Sequence, residues 1–344
     1  VIKYLVEYFR GNAKLLAEDG YFTDFISNGV STELCFVAFC AFTLIIIFAG
    51  VQNGIERVSK IMMPILIVLS VIIAVYSVTR PGALAGVKYF LVPNVKNFSW
   101  MTVVSAMGQM FYSLSIAMGI LITFGSYMKK DTAIEDSTRN VEIFDTGIAI
   151  MAGLMIIPAV FAFSGGDPDT LQAGPSLMFI TIPKVFQNMG FGTVIGIVFF
   201  LLVLFAAVTS SIALTESAVS TFEDELGWGR KKATVLVGVI MLALGSLSSL
   251  GYGPLAGIKI IGMQFLDLFD FLTNSVMMPI AALLTSLFVS RVVGIDKIEA
   301  EIIHGESAFR RKKVFVVMIK YLCPVFAIII LLSSVANALG WIKM

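Results

Sequence analysis

Two stretches of hydroxyl-bearing and small residues interrupt long apolar runs and are the best candidates for chemistry in this sequence. The first stretch, 109–119, has the sequence QMFYSLSIAMG, and the second, 206–211, has the sequence AAVTSS. Hard cations prefer oxygen ligands, and Thr209 and Ser210 offer neighbouring hydroxyls beside the Ala206 carbonyl. Because these ligands are uncharged, the pattern indicates a site for a monovalent cation.

Both stretches also have a simpler interpretation, the close packing of helices. Small residues let helix backbones approach one another, and Ser and Thr hydroxyls bond back to the preceding turn. The functional alternative is an interrupted helix whose freed carbonyls and hydroxyls surround the cation. Since no His or Cys stands beside these hydroxyls, catalysis by a serine nucleophile has little support.

The composition places these stretches in a membrane. The chain has 344 residues, of which 58% are hydrophobic and 14% charged, whereas soluble domains are about 25% charged. The net charge of +1 gives no footprint for nucleic acid. Three cysteines and one histidine provide neither a disulfide framework nor a multi-histidine metal site.

Eight stretches without Asp, Glu, Lys or Arg are the predicted membrane spans. About 20 apolar residues cross the hydrocarbon core as a helix, and the alternation expected of a transmembrane β-barrel is absent from runs such as 44–48. The stretches are 34–55, 61–79, 97–128, 146–166, 185–215, 233–258, 271–290 and 321–342. The sequence therefore predicts an all-α, polytopic membrane helix bundle.

Basic residues indicate the orientation of this bundle. The loops after spans one, three, five and seven hold 14 of the 24 Lys and Arg residues. The positive-inside rule makes that side cytoplasmic. We expect a multi-pass protein of the cell's inner (plasma) membrane, with both ends of the eight-helix block facing outward.

Three carboxylates lie beside apolar runs, namely Asp145, Glu216 and Asp270. An ionised acid at the bilayer centre costs at least about 2.5–3.5 kcal/mol, so such a group should face a cavity or a partner. The alternative for each is a solvated position near the membrane surface.

Four motifs, in order and spaced along the chain, resemble the neurotransmitter:sodium symporter family, specifically the bacterial amino-acid transporters related to the leucine transporter. The motifs are GQMFYSLS at 108–115, TFGSY at 123–127, FAAVTSSIA at 205–213 and FEDEL at 222–226. The resemblance covers essentially the whole chain. It implies a fold of two inverted five-helix repeats.

On this resemblance, residues 1–344 form a single transmembrane transporter domain, from the end of family helix three through helix eleven. The second repeat, 97–291, is complete, whereas helices one and two and most of helix three lie outside this sequence. Because family helix one supplies much of the substrate and sodium sites, we expect no transport by these 344 residues alone.

The resemblance also implies roles for individual residues. Ala206 (through its carbonyl), Thr209 and Ser210 match one sodium site, and Ser113 matches the other. Tyr112 matches the aromatic lid over the substrate, and Ser115, Met118 and Leu214 match positions of the side-chain pocket.

Gating and charge compensation are assigned in the same way. Asp270 matches the acid of the outer gate, and Asp224 and Tyr127 match the cytoplasmic gate. Gly54 and Pro64, separated by nine residues, match a helix-five motif linked to cytoplasmic opening. Gln109 lies at the chloride or carboxylate position, and Asp145 is the candidate acid that replaces the chloride, while Glu216 has no assigned role.

The resulting functional prediction is sodium-coupled import of amino acids by alternating access, with two sodium ions and no chloride requirement. Met118 stands where the leucine transporter has phenylalanine, and the adaptable methionine side chain favours large hydrophobic or aromatic L-amino acids. The alternative is a non-transporting receptor or scaffold on the same bundle. A membrane enzyme has no supporting cluster, and the oligomeric state is left open.

Overall fold

A computed structural model describes residues 1–166, 174–306 and 308–338. The described residues form helices joined by turns, with one isolated bridge between Ile260 and Met263 and no strand. The α-helices are α1 Ile2–Phe9, α2 Ala13–Leu16, α3 Tyr21–Ser27, α4 Gly29–Phe48, α5 Arg57–Val78, α6 Ala83–Leu91, α7 Trp100–Ser113, α8 Ile120–Ser126, α9 Ile134–Ser164, α10 Ile182–Gln187, α11 Gly192–Leu226, α12 Arg230–Leu250, α13 Phe265–Asp270, α14 Met278–Phe288, α15 Ile295–Gly305, α16 Lys312–Val317 and α17 Cys323–Ala338.

Short non-α turns extend several of these helices. A 3₁₀ turn covers Val95–Asn97, and π-helical turns cover Val51–Glu56, Leu177–Thr181, Phe271–Met277, Val289–Val293 and Met318–Leu322. The π turns join neighbouring helices into longer rods, so that Val51–Val78, Phe265–Val293 and Lys312–Ala338 each run without a break.

Among the described residues, 7 continuous helices are long and apolar enough to cross a membrane. They correspond to seven of the eight predicted spans, and the end of the last span, 339–342, lies outside the described residues. The one remaining predicted span, 97–128, is divided into α7 and α8. The chain is thus an all-helical, multi-pass membrane protein.

Several helices run past the uncharged stretches that predicted them. α9 has 31 residues and α11 has 35, which at about 1.5 Å per residue exceeds the roughly 30 Å hydrocarbon core. The extra turns carry charge, with Glu135 and Asp136 at the start of α9 and a run of acids at the end of α11. The position of charged residues in the sequence predicts where a helix leaves the membrane. It does not predict where the helix itself ends, because that depends on how the terminal backbone groups are capped.

The described chain forms two compact units. The first unit comprises Val1–Asn94 with Gly147–Lys259, and the second comprises Val95–Thr146 with Ile260–Met344. The long helix α9 contributes its N-terminal turns to the second unit and its remainder to the first.

The first unit is built around α11 and an aromatic core. Tyr4 and Tyr8 of α1 are almost fully buried, and both rings lie within 5.6 Å of the Phe200 ring of α11. The Tyr4 hydroxyl donates to the Phe179 carbonyl at 2.8 Å. Gly196 packs directly beneath the Tyr8 ring, because only a residue without Cβ permits that approach.

The second unit packs α14 against α17 and caps α9. The Ser286 hydroxyl of α14 donates to the Ile319 carbonyl at 2.5 Å. The Glu306 carboxylate accepts hydrogen bonds from the first N–H groups of α9, those of Glu135 at 2.6 Å and Asp136 at 3.4 Å. These two bonds satisfy N–H groups that would otherwise have no acceptor at the start of the helix.

Candidate functional site

The second unit contains a break in its longest apolar stretch. α7 ends at Ser113, α8 begins at Ile120, and the chain between them is not helical. Ser115 and Ala117 have φ of 54° and 63°, a region that costs non-glycine residues about 1–3 kcal/mol each. The predicted interruption of 97–128 is therefore confirmed, and the local backbone is strained.

Local backbone hydrogen bonds hold this break in place. The Ile116 N–H donates to the Phe111 carbonyl at 2.9 Å, and the Ser115 N–H donates to the Tyr112 carbonyl at 3.1 Å. Both bonds curl the chain back over the last turn of α7. Irregular backbone at membrane depth is tolerated where it faces protein or a cavity, which is the arrangement used by ion and substrate sites in transporters.

Two sequence-predicted residues meet at this break. The Ser113 hydroxyl donates to Oδ1 of Asp145 at 2.6 Å, and Asp145 is half-buried on α9. The pair presents a carboxylate and a hydroxyl oxygen next to the C-terminal, partially negative end of α7. Such an arrangement favours a cation. Gln109 lies one turn before Ser113 and is exposed.

The predicted pocket residues of the second unit surround the same break. Tyr112 is exposed in the last turn of α7, and Ser115 and Met118 are half-buried within the non-helical segment. Leu214 belongs to the first unit, where it lies on the exposed face of α11.

The second polar stretch lies on α11, which is continuous. The Thr209 hydroxyl donates to the carbonyls of Phe205 at 3.1 Å and Ala206 at 3.0 Å. Of the two interpretations of 206–211, the interrupted helix is wrong and the packed, back-bonded helix is correct, because the Thr209 hydroxyl bonds back to the preceding turn and the stretch contains no Gly or Pro. The bond nevertheless brings the Thr209 hydroxyl and the Ala206 carbonyl into adjacent positions.

Ser210 is exposed one residue further along α11, and its hydroxyl makes no hydrogen bond within the described residues. Ser210 and Leu214 share this open face, whereas Val208 and Ile212 are buried on the opposite face. The predicted ligands therefore lie together on one side of the helix, with oxygens available to an ion.

The buried face of α11 holds polar contacts that sequence reasoning missed. Glu216 is fully buried and pairs with Arg230, with Nη1–Oε1 and Nη2–Oε2 distances of 3.0 and 2.6 Å. Nε of Arg230 donates to the Ile47 carbonyl at 3.0 Å, in the last turn of α4. The alternative of a solvated Glu216 is wrong. The nearest available signal was Arg230, 14 residues along and just past the acidic end of α11.

The predicted gate residues occupy element ends. Asp270 ends α13 and accepts a hydrogen bond from the Asn274 amide at 2.6 Å. Asp224 is exposed in the last turn of α11 in the first unit. Tyr127 follows α8 in the second unit, with its ring 6.0 Å from that of Phe124.

The glycine–proline pair lies at the start of a continuous helix. Gly54 is buried in the π turn at the start of the continuous helix Val51–Val78, and Pro64 lies further along it, inside α5. A Cβ at Gly54 would collide with the Ile46 carbonyl oxygen, so the turn between α4 and α5 requires glycine there. Pro64 removes one backbone donor from α5 and weakens the helix locally.

A break such as that between α7 and α8, set among long apolar helices, is typical of secondary transporters. The chain belongs to the sodium:neurotransmitter symporter family, whose model matches residues 3–341. The protein is accordingly a sodium-coupled membrane symporter and not an enzyme.

Particular relatives are sodium-dependent transporters. The chain is 33% identical over 339 residues to the sodium-dependent transporter YhdH of Bacillus subtilis, covering 97% of this chain and 74% of the relative. A sodium-dependent transporter of Haemophilus influenzae is 30% identical over 345 residues, with the same coverage. The crystal structure of MhsT in complex with L-phenylalanine matches with a TM-score of 0.83 and 34% identity, over 97% of this chain and 75% of that one.

Proposed function

We propose that this symporter imports amino acids with large hydrophobic or aromatic side chains, driven by sodium through alternating access. The observation that carries the proposal is the break between α7 and α8, where Ser113 donates to Asp145 at 2.6 Å. The 34% identical MhsT, whose crystal structure holds L-phenylalanine, supports the substrate class.

The transporter binds two sodium ions, one at the candidate ligands of the first unit and one at the candidate ligand of the second unit. In the first unit the Ala206 carbonyl and the hydroxyls of Thr209 and Ser210 supply neutral oxygen ligands. In the second unit Ser113 supplies a hydroxyl. Two positive charges entering a cell that is 100 mV negative inside contribute roughly 4–5 kcal/mol, which is sufficient for about 1,000-fold accumulation because each 1.4 kcal/mol is tenfold.

Asp145 provides the negative charge that balances a bound cation, so transport needs no chloride. The carboxylate is held at the break by the Ser113 hydroxyl, and a fixed anion within about 4–6 Å stabilises a cation in a region of low dielectric constant. Gln109 lies one turn away on α7 and completes the polar lining.

In the second unit, Tyr112 covers the bound substrate, and Ser115 and Met118 of the non-helical segment contact its side chain. In the first unit, Leu214 of α11 keeps the pocket role that the family resemblance implies for it. Met118 is unbranched and adapts to bulky groups. Gating involves Asp270 on the outer side, Asp224 and Tyr127 on the cytoplasmic side, and the Gly54–Pro64 segment during inward opening.

Uptake into proteoliposomes that carry the full-length product of the gene tests the function. Labelled phenylalanine, tryptophan, leucine and alanine are supplied with sodium outside, and then with potassium in its place. We expect accumulation above the equilibrium level with sodium alone, ranked with the aromatic substrates first. Uptake indifferent to sodium would reject the ion-binding roles of Ser113, Thr209 and Ser210.

The variant Met118→Phe tests the substrate class separately. A second rigid ring at this position reduces the space for an aromatic substrate, so we expect the tryptophan-to-leucine uptake ratio to fall about tenfold, equivalent to roughly 1.4 kcal/mol. An unchanged ratio with intact sodium-driven leucine uptake would leave the transport mechanism standing and remove Met118 from the pocket.

A further inference from the structure

We propose that the cavity beside Arg80, in the first unit, binds the phosphate headgroup of an anionic phospholipid. The cavity has a volume of about 440 Å³. Its walls combine the Arg80 guanidinium and Asn188 with the apolar side chains of Pro81, Phe163 and Met189. A wall that combines a charged group with apolar side chains fits an amphiphile.

Arg80 is held in a fixed orientation by its own helix end. Nε of Arg80 donates to the Tyr76 carbonyl at 3.2 Å, and Nη2 donates to the Thr79 hydroxyl at 3.4 Å. The guanidinium also lies over the Tyr76 ring, 4.3 Å from its centroid. The Tyr76 hydroxyl in turn donates to the Gly190 carbonyl, so the ring under Arg80 is anchored to the opposite wall of the cavity.

The charge of Arg80 has no carboxylate partner within the described part of the chain. The neighbouring cation Lys184 differs, since its ammonium lies 2.5 Å from the Asp19 carboxylate. A preoriented arginine with unused donors is a site for an oxyanion, and the planar guanidinium suits phosphate in particular.

The position of the cavity favours a lipid over a soluble anion. It lies where α5 and α9 end, since Gly82 approaches Ala162 at the end of α9. Phe163, which lines the cavity, has an exposed fraction of 43%. An exposed apolar side chain beside the guanidinium suits contact with an acyl chain, and helix ends in a multi-pass protein lie at headgroup depth. On the predicted orientation this is the outer leaflet.

The test measures lipid binding by the purified protein in detergent. Phosphatidylglycerol is titrated against wild type, Arg80→Gln and Lys88→Gln, with binding followed by native mass spectrometry and by the rise in Tm. Lys88→Gln is the matched control, because it removes one exposed positive charge from the same unit outside the cavity. Arg80→Lys, which keeps the charge but loses the planar fork, serves if Arg80→Gln folds poorly.

We expect phosphatidylglycerol to bind wild type and Lys88→Gln alike, and to bind Arg80→Gln at least about tenfold more weakly, since the variant loses charge-assisted hydrogen bonds to the phosphate. Arg80→Lys should be intermediate. Equal binding to Arg80→Gln and wild type, or equal binding of phosphatidylcholine, would overturn the proposal. Protection by glycerol phosphate equal to that by the lipid would also overturn it, because the site would then take a soluble phosphate.

Discussion

The hydroxyl of Ser113 donates to the carboxylate of Asp145 at 2.6 Å, across 32 residues of sequence. Ser113 is the last residue of α7, and Asp145 belongs to α9. The bond therefore fixes the free end of a broken helix to a continuous one. In the proposed mechanism it also places a fixed negative charge beside the Ser113 ligand.

Replacing Asp145 by Asn should make sodium binding and transport depend on chloride. The amide keeps the shape of the carboxylate and can still accept the Ser113 hydroxyl, but it lacks the charge that balances the cation. We expect the sodium concentration for half-maximal uptake to rise about tenfold or more, equivalent to 1.4 kcal/mol. Uptake measured over a sodium series, in chloride and then in gluconate, checks this result.

Asp145→Glu is the control for that experiment, because it retains the charge on a longer side chain. It should remain independent of chloride even if its maximal rate falls. Equal sodium dependence for wild type and Asp145→Asn in gluconate would remove Asp145 from the ion-binding machinery.

Replacing Thr209 by Ala should weaken sodium binding, since it removes the hydroxyl that lies 3.0 Å from the Ala206 carbonyl. We expect a several-fold to tenfold rise in the sodium requirement, measured by sodium-dependent substrate binding, while Thr209→Ser stays near wild type. Ser211→Ala is the matched control on the other face of α11, where Ser211 contacts Thr43 at 3.1 Å. A similar loss in Ser211→Ala would point to general helix damage.

Replacing Glu216 by Gln should destabilise the protein strongly. The change leaves Arg230 without its fully buried counter-charge, and breaking a buried pair costs about 3–5 kcal/mol. A lower Tm in detergent measures this loss. Glu223→Gln is the comparison, because Glu223 is one-quarter exposed and 3.5 Å from the same arginine, so its loss should cost about 1 kcal/mol or less. Equal Tm values for the two variants would contradict this ranking.

Replacing Gly54 by Ala should reduce the amount of folded protein, because the new Cβ would collide with the Ile46 carbonyl oxygen. Gly147→Ala adds the same methyl group to a helix position with open space around it, where alanine is the better helix former by about 1 kcal/mol. Size-exclusion profiles and Tm values should therefore move in opposite directions for the two variants.

The helical architecture was largely predictable because membrane spans follow from composition. Uncharged stretches located the apolar helices, while the ends of α9 and α11 were missed by up to a dozen residues. Those ends depend on capping groups distant in sequence, such as Glu306 at the start of α9. The interruption at 114–119 followed from its polar and small residues, whereas the same reasoning failed at 206–211, where hydroxyls bond back within the helix.

The sequence predicted which residues belong to the candidate site, but it did not predict their hydrogen-bond and ion-pair partners. Ser113 and Asp145 were separate candidates in the sequence, and only folding shows that they share a hydrogen bond. Glu216 had no assigned role because its partner lies across a turn and on the next helix. Pairing of buried charges depends on which helix faces meet, and composition does not encode that.

The contact between Arg230 and the Ile47 carbonyl joins residues separated by 183 positions, which bears on how the protein is made. α4 is synthesised long before α12, so the Ile47 carbonyl can meet the Arg230 guanidinium only after the whole of α11 has been made. The same guanidinium pairs with Glu216 of α11, so one side chain of α12 contacts both earlier helices. The mutual packing of α4, α11 and α12 is therefore completed late, when the start of α12 has been synthesised.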